Sequence, residues 1–168
     1  GFIRKYKGLD LLLEALSLLN EDYHVIVAGE IYGSFDDYQA LIDQYNLQNR
    51  VHMFTEYISD EEVKIYFSAA DVCMLPYKSA TQSGITAIAH HFEMPIIATD
   101  VGGLKETIDH QETGLIVDHA NGDEIAKAVQ SFFNDFDPEA MRTAIRKRNA
   151  ENTWENFSKR ILEFSKTL

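Results

Sequence analysis

The chain has 168 residues, 45% of them apolar and 25% charged, and its 15 Lys and Arg against 27 Asp and Glu leave a formal net charge of −12. Such proportions describe one ordinary globular domain with enough chain to bury a core, and the longest apolar runs, VIVAG from Val25 and PIIA from Pro95, fall far short of the roughly 20 residues that span a bilayer. A surface this acidic repels a phosphate backbone, which argues against nucleic-acid binding and makes each local cluster of cations informative.

At the amino end Gly1 opens directly into the loop FIRKYKG with no initiator Met or signal sequence, so the chain reads as a fragment of a longer protein. In the next stretch Leu9, Leu12, Leu13, Leu16 and Leu19 recur with the period of a helix carrying one apolar stripe. YHVIVAG, β-branched and closed by Gly29, reads as a strand buried on both faces. FDDYQALIDQYN is helical by period and VHMF is a short strand; SDEEVKIYFSAA follows with Ser59 as N-cap and Glu62 three residues on, a capping box. VCMLP is a further strand, SGITAIAHHF a helix, PIIATD a strand, GGLKETI a short helix and TGLIVD a strand. From Asn121 onward three helices complete the chain, with Asp137 and Pro138 at the N-cap and first position of one and Thr153 capping the last. Alternating strands and helices predict an α/β fold, a Rossmann-like doubly wound parallel sheet of about five to six strands with a helical C-terminal tail. Cys73, inside an apolar run, reads as a buried strand residue with no partner for a disulfide or zinc, which places the chain in the reducing cytoplasm.

In such a sheet the binding crevice lies beyond the carboxyl ends of the strands. The richest loop there is YKSATQSGITA, where Ser83 and Gly84 open a helix whose free N–H groups and dipole favour a phosphate; alternatively Thr81 and Ser83 do no more than cap that helix. In TDVGG, Gly102 and Gly103 let backbone approach a ligand or make a plain turn. Neither a G-x-G-x-x-G dinucleotide fingerprint nor a Walker loop is present, and no cofactor is expected. Arg4, Lys5 and Lys7 lie within four positions of one another, an arrangement that invites a phosphate, although Lys5 reads as a solvated loop residue. The histidines lack metal-ligand spacing, and His90 and His91, adjacent on a helix, point about 100° apart. No metal site is expected.

GFIRKYKGLDLLLEAL, VIVAGE, NRVHMFTEYISDEEVKIYFSAADVCMLPY, SGITAIAHHFEMPIIATDVGGLKETI and ETGLIVDHANGDEIAKAV, in that order, resemble the C-terminal, nucleotide-sugar-binding domain of GT-B glycosyltransferases of the retaining family 4, or group 1, type. The resemblance covers nearly the whole chain and implies that residues 1–168 form a single donor-binding domain. The N-terminal acceptor domain and the first strand of this half would lie upstream. It implies a nucleotide-diphosphate sugar as substrate, the protein's own N-terminal domain as partner, and a glycan or lipid-linked acceptor. Metal-independent transfer is implied too, with Lys7 and Arg4 as the groups facing the diphosphate. Arg4 would stand in for an arginine that the family places where Phe2 lies here. Tyr57 and Ile58 match the segment that packs on the nucleobase, and Ser83 and Gly84 the amides that face the phosphate or donor sugar. Two family glutamates fall on Ala80 and Ile88, so Thr81, Gln82, Ser83 and Thr86 are left to supply hydroxyl and amide contacts.

Such enzymes work in polysaccharide biosynthesis in the cytoplasm, some at the inner face of the plasma membrane, although this half shows no basic amphipathic helix. The same residues leave open a binding or regulatory domain that has lost transfer. A flavodoxin-like or receiver domain is disfavoured by the absence of an acidic cluster after the first strand.

Overall fold

In the computed structural model, which describes residues 1–167, a one-turn 3-10 helix at Lys5–Lys7 leads into α1 (Leu9–Ser17). The chain continues as β1 (Val25–Ala28), α2 (Asp36–Gln44), β2 (Val51–Phe54), α3 (Asp60–Ser68), β3 (Cys73–Leu75), α4 (Gly84–His91), β4 (Ile96–Thr99), β5 (Gly114–Val117), α5 (Gly122–Asp135), α6 (Pro138–Glu151) and α7 (Trp154–Ser165). Local chemistry sets the boundaries. Ser59 and Glu62 form the expected capping box, the Asp137 carboxylate accepts from the Glu139 N–H with Pro138 at the first helical turn, and the Thr153 hydroxyl accepts from the Asn156 N–H.

All strand pairs are parallel, as the β-α alternation requires. The expected α/β fold with parallel strands is present, with a strand count at the low end of the expectation. Among the described residues there are five strands, and they divide into a two-stranded sheet, β1-β2, and a three-stranded sheet, β3-β4-β5. Hydrophobic periodicity identifies strands but not their partners, so the pairing is read from the structure. GGLKETI is a single 3-10 turn at Leu104–Glu106.

Three apolar clusters follow from this layout. Leu13, Leu16, Tyr38, Ile42 and Val51 pack beneath β1-β2; Ala15, Ile97, Leu115, Ile125 and Phe132 fill one face of β3-β4-β5; and Leu75, Ala89, Ile96, Ala98 and Leu104 fill the other. β4 is buried along its whole length, as suits a strand flanked on both sides and covered on both faces. By contrast α7 buries none of its described residues, and Trp154, at 83% exposure, with Phe157, Ile161 and Phe164, forms an apolar stripe open to solvent. No helix among the described residues is long and apolar enough to cross a membrane.

Candidate functional site

The loops at the carboxyl ends of the strands converge on the start of α4. Ser83 is its N-cap: extended backbone turns the Ser83 hydroxyl to accept from the Ile85 N–H at 3.3 Å, satisfying one of the orphan donors of the first turn. Tyr77 Oη and Ser83 Oγ share a hydrogen bond of 3.2 Å. The Thr99 hydroxyl donates to the Tyr77 carbonyl at 2.5 Å, and the Gly103 N–H donates to the Thr81 carbonyl at 2.9 Å. Thus the loop after β3 is fastened at both ends to the loop after β4. Gly102 completes the junction: at φ +55°, a Cβ there would lie 1.9 Å from the Ala80 carbonyl oxygen. The backbone that these glycines approach is therefore another loop of the same chain, not open space.

Two cations of the amino-terminal loop lie near each other. A Cβ on Gly1 would sit 3.3 Å from Lys7 Nζ and 3.8 Å from Ile85 Cδ1, so Lys7 and the first turn of α4 both border Gly1. Burial, and then the nearby Arg4 guanidinium, hold Lys7 below the usual lysine pKa. Arg4 lies with its guanidinium carbon 4.2 Å from the Tyr32 ring centre and 5.5 Å from that of Phe2, a stacked arrangement that keeps its position fixed. Among the described residues neither Arg4 nor Lys7 has a salt-bridge partner, whereas Lys5 pairs with Asp37 at 2.9 Å. Two cations without salt-bridge partners, in a chain of net charge −12, make this loop locally positive in a negative molecule.

The remaining candidates divide. Gly84 has nothing within 4 Å of the position its Cβ would take. Thr81 and Gln82 are exposed beside it. Thr86 is 4% exposed and donates its hydroxyl to the Ser83 carbonyl at 2.8 Å, so it is turned into the helix and away from the pocket. Tyr57, 70% exposed, and the half-buried Ile58 stand beyond the end of β2. Ala80 belongs to the loop pinned by Gly102, and Ile88 is exposed on α4.

Tyr77 and Tyr32 were passed over in the sequence; each follows a strand closely, and only that position marked them. His24 and His52, scattered in sequence, stack at the other end of β1 and β2 with ring nitrogens 3.1 Å apart. Among the described residues no three His, Cys, Asp or Glu side chains gather as a metal site.

The family model for glycosyl transferases group 1 matches residues 1–162. The chain belongs to that family. The group 1 domain is 30% identical over 173 residues to a D-inositol 3-phosphate glycosyltransferase of Rhodococcus jostii, covering 97% of this chain and 38% of that protein. It is 29% identical over 180 aligned positions to one of Corynebacterium urealyticum, covering 100% and 42%. Among solved structures it matches sucrose-phosphate synthase of Thermosynechococcus elongatus with a TM-score of 0.77 at 25% identity, covering 99% of this chain and 44% of that one. It also matches HepE of Anabaena in complex with UDP-glucose, with a TM-score of 0.81 at 18% identity, covering 100% and 47%. These neighbours give the group 1 domain the GT-B glycosyltransferase fold. The chain spans less than half the length of each of these four proteins.

Proposed function

We propose that this chain is the donor-binding half of a retaining, metal-independent glycosyltransferase, which holds a nucleoside diphosphate sugar while a hexose or its derivative passes to a glycan or lipid-linked acceptor held by an N-terminal half. One observation carries the reading: Lys7 and Arg4, without salt-bridge partners among the described residues, lie near each other in the amino-terminal loop, and Lys7 Nζ and the Ile85 side chain, from the first turn of α4 that Ser83 caps, both come close to Gly1. When the bond between the anomeric carbon and the diphosphate oxygen breaks, negative charge collects on the phosphate. An ammonium, a guanidinium and helix-end amides, fixed in advance, stabilise that charge as a metal ion would. The partial burial that weakens Lys7 as a free cation strengthens its attraction for an incoming anion, because few waters compete. Tyr57 and Ile58 would contact the base, and Thr81 and Gln82 the sugar or ribose. That HepE, which shares the fold, was solved with UDP and with UDP-glucose fits this class of donor.

Calorimetric titration with UDP, GDP and ADP, with and without magnesium, tests it: one diphosphate should bind equally well in both conditions and lose affinity in Lys7→Ala. Binding that requires magnesium, or that ignores Lys7, overturns the mechanism. A second reading, a domain that binds the donor without transferring it, is favoured by Ala80 and Ile88, which supply no carboxylate. Turnover by the full-length protein decides between them, since the 168-residue chain alone is expected to bind and not to turn over.

A further inference from the structure

Lys7 belongs to a single 3-10 turn, a weak element on its own because its hydrogen bonds are poorer in geometry than those of an α-helix. The Lys7 N–H donates to the Arg4 carbonyl at 2.9 Å and the Gly8 N–H to that of Lys5 at 3.3 Å, and none of the three residues of the turn is buried. What fixes the turn comes from the loop after β3.

Both neighbours of Lys7 are fastened to that loop. On one side the Tyr6 carbonyl accepts from the Lys78 N–H at 2.8 Å, and the Tyr6 ring meets the buried Tyr77 ring edge-on at 6.1 Å. On the other side Gly8, at φ +71°, lies so close to the loop that a Cβ would stand 1.9 Å from the Pro76 carbonyl oxygen. The Tyr77 phenol shares its bond with Ser83, so Pro76, Tyr77 and Lys78 together join the cationic turn to the cap of α4.

The Lys78 side chain completes the arrangement. Its ammonium pairs with the carboxylate of Asp10, in the first turn of α1 and 68 positions away in the chain. Lys78 therefore grips the segment that carries Lys7 at both ends, by its backbone at Tyr6 and by its side chain at Asp10. A pair as exposed as this one adds little to stability by itself. What it does is fix geometry, and a displacement of about 1 Å is enough to weaken a charge-assisted contact to an anion.

We propose that Lys78, through its ion pair with Asp10, is a positioning residue for Lys7, an inference that rests on the donor-binding reading of Lys7 given above. Lys78 holds the amino-terminal turn where the Lys7 ammonium meets the diphosphate. It does not touch the ligand, since its own ammonium is committed to Asp10.

Titration of the protein with UDP, GDP and ADP, together with residue-resolved hydrogen exchange, tests this. Each titration is run well below the variant's melting temperature, so that a lost fold is not read as a lost site. Lys78→Met and Asp10→Asn should each weaken binding of the diphosphate roughly 3- to 30-fold, with Lys78→Arg within about twofold of the wild type. In a Lys7→Ala background neither substitution should weaken binding further, because the group they position is gone. Without ligand, the Lys78 amide should exchange at least about 10-fold faster in Asp10→Asn, as its bond to Tyr6 opens.

Tighter binding by Asp10→Asn overturns the proposal, because it shows a freed Lys78 ammonium touching the ligand. Losses that add in full to that of Lys7→Ala overturn it too, as does unchanged affinity or unchanged exchange in Asp10→Asn. If Lys7→Ala weakens binding and Lys78→Met does not, the donor reading stands and this proposal alone fails. If no diphosphate binds, or if Lys7→Ala binds as the wild type does, both fail together.

Discussion

Tyr77 and Ser83 share a hydrogen bond of 3.2 Å that joins the end of β3 to the cap of α4. Tyr77 is 4% exposed, and its ring meets Tyr6 edge-on at 6.1 Å, so the phenol is fixed from two directions. Tyr77→Phe keeps the packing and removes the bond. It should cost about 1 kcal/mol and lower the melting temperature by roughly 2–4 °C in a chain of this size. Calorimetry checks this, and an unchanged melting temperature would show that the bond contributes nothing.

Lys7 and Lys5 differ by two positions and should differ in every binding experiment. Lys7→Ala removes a charge-assisted contact of about 1.5–3 kcal/mol, or roughly 10- to 150-fold in affinity for the diphosphate. Lys5 is exposed and paired with Asp37, so Lys5→Ala should leave the titration unchanged. Equal effects of the two substitutions would mean that general surface charge, not a site, draws the ligand.

Gly84 and Gly102 separate binding from folding. At Gly84 an added methyl meets nothing, and alanine suits a helix better than glycine, so Gly84→Ala should fold as stably as the wild type or slightly more so. If the proposed donor site is correct, the methyl crowds a phosphate bound at this turn, and the diphosphate should bind more weakly. Gly102→Ala places its methyl on the Ala80 carbonyl at a left-handed φ and should lower stability by more than about 1 kcal/mol. Parallel thermal melts and titrations of the two variants read both effects.

The two lysines also show where sequence reading stops. Three cations within four positions are visible in the chain, but which of them is spent on a carboxylate depends on Asp37, 32 positions from Lys5. The helix caps at Ser59, Asp137 and Thr153 were legible because every participant lies within three residues. Gly102 and Gly103 announced a close approach without naming its object, since Ala80 and Thr81 come from a different loop. The place of Ser83 and Gly84 at the start of α4 was legible from the turn residues that precede an apolar run. Tyr77 was not, because a tyrosine after a strand has no motif and acquires its role only through Ser83 and Thr99.

His90 makes stability depend on pH. Its side chain is buried, with Nε2 lacking a partner among the described residues, and burial followed by the Arg148 charge pushes its pKa below 6.5, while Asp109 opposes the shift. The folded chain therefore binds this proton at lower pH than the unfolded chain does. The stability conferred by neutral His90 is complete above about pH 6.5 and is lost as pH falls below it, through the folded pKa. Urea unfolding between about pH 7.5 and 5 should show that slope, flattened in His90→Leu. A slope that survives the substitution belongs to other groups.

α1 has two apolar flanks: Leu13 and Leu16 enter the core under β1-β2, Ala15 enters the core of the other sheet, and Leu12 touches both. As the sheets are not hydrogen-bonded to each other, this helix is the clasp by which melting of one half is felt by the other. Cooperativity in the 168-residue chain thus draws on side-chain packing along this helix, together with Tyr23, which also touches both cores, and the bond from the Lys78 N–H to the Tyr6 carbonyl. A variant thinned there, such as Leu12→Ala, should unfold over a broader temperature range, its two halves letting go at different points.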